Sequence, residues 1–389
     1  MHKRATIIAA LFACVVLGAA AIADEPAKPM TAAGDWDSMR SIQPRQYLCH
    51  ITHDPITIDG QAREAAWQAA EWTDDFSDIE GPRRPKPRFR TRAKMLWDDT
   101  YFYVYAELEE PHVWATITKK NEVIFRDNDF EVFIDPEGSN HHYHEFEMNA
   151  LGTIWELSLD RPYRDGGPIH DPDNLPGLRS AVHIRGTINN PSDTDQGWSV
   201  EIAFPWEGLK KYAGRMASPP HEGDTWRIDF SRVEWLVDII DGKYRKIPPE
   251  MRPEDNWVWS PQGIINMHAP ERWGRVQFTR QPPGQGKFIP DPTAATRDAL
   301  MEVYHRQRVY RDAHKRYATS LAELGWMPAD APGFSAASLR LEPRTGGFLA
   351  SAEARMPDGS TATLHTREDS YLWRGDAEAE ATVRREVHP

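Results

Sequence analysis

Between Arg88 and Phe278 side-chain character changes at almost every residue, and that alternation limits the fold more than any other feature of the chain. In "RFRTRAKMLW" Phe89, Thr91, Ala93, Met95 and Trp97 alternate with Arg90, Arg92 and Lys94. "YFYVYAEL", "DFEVFID", "GWSVEIAF", "TWRIDFSRV" and "RWGRVQF" behave alike, each bounded by Gly, Pro, Asp or Asn. A period of two puts successive side chains on opposite faces of a strand, so every run offers one face to a core. Across the wider stretch from about Pro55 to Gln281, helical spacing shows near Glu64–Ala70 and Trp206–Ala213. Many short strands and few helices predict a mainly β protein, an antiparallel β-sandwich.

The two ends read differently. Leu300, Val303, Tyr304, Gln307, Tyr310, His314 and Tyr317 recur at three- and four-residue intervals, one face of an amphipathic helix. "GGFLASAEAR" and "STATLHT" then read as strands, so residues 293–389 are expected to form a small α+β C-terminal region. The prolines and glycines of "RQPPGQGKFIPDP" mark 282–292 as a linker between it and a body over 49–281. At the start, His2, Lys3 and Arg4 precede an apolar run from Ala5 to Ala21 and the small residues of "AIADEP". This predicts an export signal over 1–23, too short to hold the chain in a bilayer, and a linker over 24–48. The expected location is secreted or periplasmic, without stable membrane insertion after cleavage.

The net charge of −13 would become −15 on losing Lys3 and Arg4, which gives the chain no electrostatic claim on nucleic acid. Of two cysteines only Cys49 would remain, so no intramolecular disulfide is expected.

The segment "HHYHEFEMNALG" (141–152) concentrates histidines and glutamates. On a strand, Tyr143, Glu145, Glu147 and Asn149 share one face, while His144, Phe146, Met148 and Ala150 share the other, the core face by composition. His141 and His142, at the turn before it, read as a polar loop or as two ligands of a zinc site. Glu145 and Glu147 match the separation of an inverting glycosidase pair but point the same way, whereas such acids must flank the bond they cleave. With the preceding "DNDFEVFID" the segment reads as a hairpin with its loop at about Pro136–His142. Glu131 would then lie across from Glu147. Like charges so placed are unfavourable unless sugar hydroxyls, a calcium ion or an arginine such as Arg126 or Arg164 meets them.

The ordered set "ITIDGQAREAAWQAA", "KMLWDDTYFYVYAELEEP", "DNDFEVFIDP", "FEMNALGTIWE", "GWSVEIAFPWEGL", "GDTWRIDFSRVEW" and "WVWSPQGIINMHAPERWGRVQF" resembles carbohydrate-binding module family 9, across about Pro55 to Phe278. The resemblance implies a DOMON-like β-sandwich that binds sugars without hydrolysing them, in support of saccharide breakdown outside the cytoplasm. It also implies a carbohydrate ligand, no organic cofactor and often a structural calcium ion. By motif the implied sugar-binding residues are Phe125, Glu131, Glu147, Asn149 and Trp259, with Trp257 the other choice for the last. Phe125 stands where the family usually has Trp, and Glu147 where a basic residue is expected. Two other readings stay open: a glycoside hydrolase pairing Glu131 with Asp160 or Glu201, and a sandwich that has lost sugar binding.

Overall fold

A computed structural model describes residues 33–375. The export signal expected over 1–23 and the first part of the linker expected over 24–48 lie outside these residues.

The alternating runs form one continuous thirteen-stranded sheet that curls over itself, eleven strands in one path and two, Asp255–Val258 and Ser77–Asp78, branching from Thr225–Glu234. Along it the order is Ile169–His170, Ile154–Leu159, Tyr143–Asn149, Asp129–Asp135, Thr225–Glu234, Gly274–Thr279, Gln46–Ile51, Thr91–Trp97, Tyr101–Leu108, Gly197–Pro205 and Arg179–Arg185. The core lies between the two halves. Phe130, Val132, Phe146 and Met148 of one half pack with Met95, Val104, Ile202 and Phe204 of the other, and Phe146 meets Phe204 ring to ring at 5.6 Å. These are the residues that alternation assigns to the inner faces. Short helices sit at Ala65–Ala69 and Trp206–Leu209, where helical spacing interrupts the strands.

Two expectations change. Gln46–Ile51 is parallel to both its neighbours, Gly274–Thr279 and Thr91–Trp97. Alternation says which face of a strand is buried and nothing of its direction. The segment between Ile51 and Thr91, which carries the Ala65–Ala69 helix, supplies the crossover that parallel neighbours need. Residues 33–48 are also not a linker. The first sheet strand starts at Gln46, and Ala33, Trp36 and Met39 are buried in the C-terminal core.

That second core lies under the helix Ala294–His314, packed on a four-stranded sheet of Arg340–Arg344, Gly347–Arg355, Thr361–Arg367 and Leu372–Arg374. Leu300, Val303 and Tyr304 meet Phe348 and Leu364 there. The helix stops at Lys315, whose left-handed φ of 59° ends it before Tyr317. The proline-rich stretch has no regular structure but is tied to the sandwich, because Gln277 donates to the Ile289 carbonyl (3.1 Å) and accepts its N–H (2.8 Å).

Candidate functional site

The strands Asp129–Asp135 and Tyr143–Asn149 pair antiparallel with Glu131 opposite Glu147, joined by a loop of residues 136–142. Their inner faces carry the core residues. His144 points inward as its parity requires, fully buried against Phe204 and Tyr212. The outer faces carry Asp129 and Glu131 on one strand, Glu145 and Glu147 on the next. Beside them Phe133, Tyr143, Trp155, Leu157 and Trp273 form a second apolar layer with Ile124. The segment around residues 117–124 and that around 267–273 lie over this outer face, so its carboxylates are nearly dry: Glu131 is 5% exposed and Glu147 1%.

Oxygens of Asp129, Glu131 and Glu147 all lie within 4.8 Å of one another. Glu147 accepts the Phe125 N–H (3.0 Å), Glu131 is met by the Ser231 hydroxyl, and Asp129 Oδ1 accepts the Val233 N–H (3.2 Å). Asp129 Oδ2 and Glu145 Oε2 are buried without a hydrogen-bond partner. Burial pushes the Glu131 carboxyl up to about 7. Burial first, and then the neighbouring carboxylates, push Asp129, Glu145 and Glu147 well above the usual range.

Two aromatic rings border this acidic face and are open to solvent: Phe125, 38% exposed, and Tyr163, 48% exposed. Tyr163 stands edge-on to His268 (4.4 Å), whose Nε2 lies 4.0 Å from Glu145 Oε2. Burial, and then Glu145 and Glu147, push the Tyr163 phenol up to about 12. Burial, and then Arg164, hold His268 at about 3, a neutral ring at physiological pH.

Of the five residues singled out by motif, the fold brings together Phe125, Glu131 and Glu147. Asn149 adjoins them but is spoken for. It is fully buried, its amide donates to the Ile117 carbonyl (2.9 Å) and Asp127 (3.0 Å), and its oxygen accepts the N–H groups of Leu151 and Thr153. No capacity is left to read a ligand, and Asn149 instead ties down the segment that carries Phe125. Trp259 is on the wrong side. It is 1% exposed in the sandwich core against Phe230, and its indole lies so close to Gly274 that a Cβ there would come within 2.3 Å of it. Trp257 is buried as well, under the guanidinium groups of Arg88 and Arg232.

The arginines offered as partners for the acids are elsewhere: Arg164 pairs with Glu271 at 2.7 Å, and Arg126 is exposed. The histidine pair does not build a zinc centre either. His141 Nε2 bonds the Asp369 carbonyl of the C-terminal unit (2.7 Å), so the hairpin loop is a docking point, not a solvated turn. Glu201 is likewise no free acid, since the N–H groups of Asp59 and Gly60 and the Trp67 indole N–H all donate to it. Asp129, Glu145 and Tyr163 complete the site. Parity alone places Asp129 on the face of Glu131, whereas nothing local marks Tyr163.

Residues 58–219 match the carbohydrate family 9 binding domain-like family. Exoglucanase XynX of Acetivibrio thermocellus is 26% identical over 117 residues, 30% of this chain and 9% of that enzyme's length. Among solved structures, a proposed carbohydrate-binding protein of Bacteroides uniformis aligns over 61% of this chain and 100% of its own at 15% identity and a TM-score of 0.45. A family 9 carbohydrate-binding module of Caldicellulosiruptor kristjanssonii, in complex with cellotriose, aligns over 63% and 100% at 14% identity and a TM-score of 0.39. The matched residues 58–219 lie within the sandwich described above, and in that region the chain is similar to the carbohydrate family 9 binding domain-like family.

Proposed function

We propose that the sandwich binds carbohydrate without cleaving it, at the carboxylate face between Phe125 and Tyr163. One observation supports this most: in a sandwich similar to this family, Glu131 and Glu147 lie side by side on adjacent strands and are bordered by two exposed rings. The CH face of a sugar ring loses water against an aromatic ring, and the exposed Phe125 and Tyr163 offer that surface, while Glu131 and Glu147 lie buried behind them and make the face acidic. Phe125 and Tyr163 then take the part that the motif assigned to Phe125 and Trp259. Both acids approach from one side, which is the geometry of reading a ligand; hydrolysis needs acids on opposite sides of the bond.

A glycan array followed by reducing-sugar assays on the hits tests both halves. Binding without product is expected. Phe125→Ala and Tyr163→Ala should each weaken the best glycan by about 2 kcal/mol, roughly thirtyfold, as for a desolvated aromatic anchor. Turnover abolished by Glu131→Gln would make the protein an enzyme and end this reading.

We also infer export, from the basic, apolar and small-residue order of residues 1–23. Among the described residues no helix is long and apolar enough to cross a membrane. Mass spectrometry of protein from the periplasm or medium should find a chain starting near Asp24, and a full-length cytosolic species would contradict it.

A further inference from the structure

We propose that Ser351 and His365 form a nucleophile and general base on the outer face of the C-terminal sheet, a hydrolytic site for short-chain carboxylic esters. Ala350, Ala352, Leu364 and Leu372 of its strands turn into the core under the helix Ala294–His314. Their chain neighbours therefore turn outward, and the strand pairing lines four such residues up across the sheet. Arg340 faces Ser351, Ser351 faces His365, and His365 faces Trp373. The Ser351 hydroxyl lies 2.7 Å from His365 Nδ1, and His365 Nε2 lies 2.7 Å from the Gly375 carbonyl oxygen. The indole of Trp373 stacks on the imidazole at 5.1 Å.

These contacts fix which way the protons point. A carbonyl oxygen only accepts, so Nε2 carries the ring N–H; in the neutral ring Nδ1 is then the acceptor, and Ser351 donates to it. That is the order of a hydrolytic triad, nucleophile to base to orienting acceptor, with a backbone carbonyl in place of the usual carboxylate. Ser199 and Ser218 instead give their hydroxyls to carbonyls at 2.7 Å, which anchors a chain but takes up no proton.

His365 is buried, whereas Ser351 is half-buried and opens on a cleft of about 420 Å³. Arg340 lines the same cleft, its Nη1 held by the carbonyls of Ala337 and Leu339, and brings the positive charge that a developing oxyanion needs. The remaining walls are Ser335, Ser338, Thr363 and Glu353, with Ala337 and Ala352 as the apolar part, so the cleft suits an acetyl-sized acyl group and offers a long acyl chain no apolar wall. Ser351 Oγ would attack the ester carbonyl carbon while its proton passes to His365 Nδ1. The C–O bond then breaks, and the alcohol leaves with that proton. Water next gives a proton to Nδ1 as its oxygen joins the acyl carbon. The carboxylic acid departs and the proton returns to Ser351 Oγ.

This site lies outside the sandwich and does not depend on the sugar reading; a chain that hydrolyses esters and binds no glycan keeps this inference and loses the other. The test uses the full chain with a fluorophosphonate probe, which phosphonylates an activated serine with loss of fluoride, and with para-nitrophenyl acetate as substrate. Mass spectrometry should place the adduct on Ser351. Ser351→Ala should release nitrophenol no faster than buffer while keeping a cooperative melt, because the hydroxyl it removes is small and half-buried. His365→Gln should be labelled about a hundredfold more slowly, or worse, which is the usual share of a general base. If that variant does not fold, Ser351→Ala decides alone. No adduct on Ser351, or nitrophenol release unchanged in Ser351→Ala, would overturn the proposal. Labelling of Ser351 at the full rate in a folded His365→Gln would also overturn it, by removing the base.

Discussion

Glu271→Gln is expected to lower the stability of the whole chain by about 3 kcal/mol. Glu271 sits on the short helix Pro270–Arg272, is 4% exposed, and accepts a hydrogen bond from Arg164 at 2.7 Å. On its other side His305 of the Ala294–His314 helix approaches at 3.0 Å. The glutamine keeps the shape but removes the charge that holds Arg164 in a dry interface. Breaking a buried pair by deleting one partner costs about 3–5 kcal/mol. The lower end applies because Asp165 remains 3.6 Å from Arg164. The pair belongs to a network joining the C-terminal unit to the sandwich: Tyr304 donates to Asp165 (2.6 Å), and the Ser370 hydroxyl donates to the same side chain (2.7 Å). Urea unfolding and limited proteolysis at residues 282–292 report the loss, and unchanged unfolding in the variant would contradict it.

The same pair sets an acid limit. Burial alone would raise the Glu271 carboxyl, but Arg164 and His305 outweigh it and hold it far below its ordinary 4.5. A depressed acid contributes stability that is complete above about pH 4.5 and is lost as pH falls towards its folded value. Wild type should therefore lose stability below pH 4.5 faster than Glu271→Gln, and the gap between them should narrow with acid. Parallel melts from pH 7 to pH 3 measure this directly.

Trp259→Ala is expected to cost about 3–5 kcal/mol and to leave glycan affinity within a few-fold. The indole is 1% exposed, packs on Phe230 at 5.7 Å, and fills the space left by the missing side chain of Gly274. Truncating a buried Trp removes its transfer energy and leaves a cavity that a curled sheet closes only in part. Thermal melts of the variant, with calorimetry on its folded fraction, separate the two effects. A normal melt with lost binding would return Trp259 to the site and displace Tyr163 from it.

Alternation along single strands was enough to foresee much of this molecule. It placed His144 inward and Glu145 and Glu147 outward, because a strand has only two faces and composition identifies the buried one. With the loop read at about Pro136–His142, Glu131 was expected near Glu147 to within two residues of register, and the structure pairs the two directly. The amphipathic spacing of Leu300, Val303, Tyr304 and Gln307 likewise announced the C-terminal helix.

What a strand pattern does not contain is the cover laid over its outer face. Asn149 looked free to read a ligand, yet its bonds are taken by Ile117 and Asp127, 32 and 22 residues away. Glu201, one of the two acids a hydrolase reading would pair with Glu131, is instead held by Trp67 and the turn at Asp59–Gly60. Trp259 follows a four-residue strand, too short to carry a readable period, and only its pairing across Thr225–Glu234 turns the indole into the core. The hairpin loop looked like surface because the strands that bury it begin some 200 residues later, where Ser370 accepts the Asn140 amide. Parity is a local property of the backbone and is written in the sequence; burial of the outer face is made by long-range packing, and only the folded chain decides it.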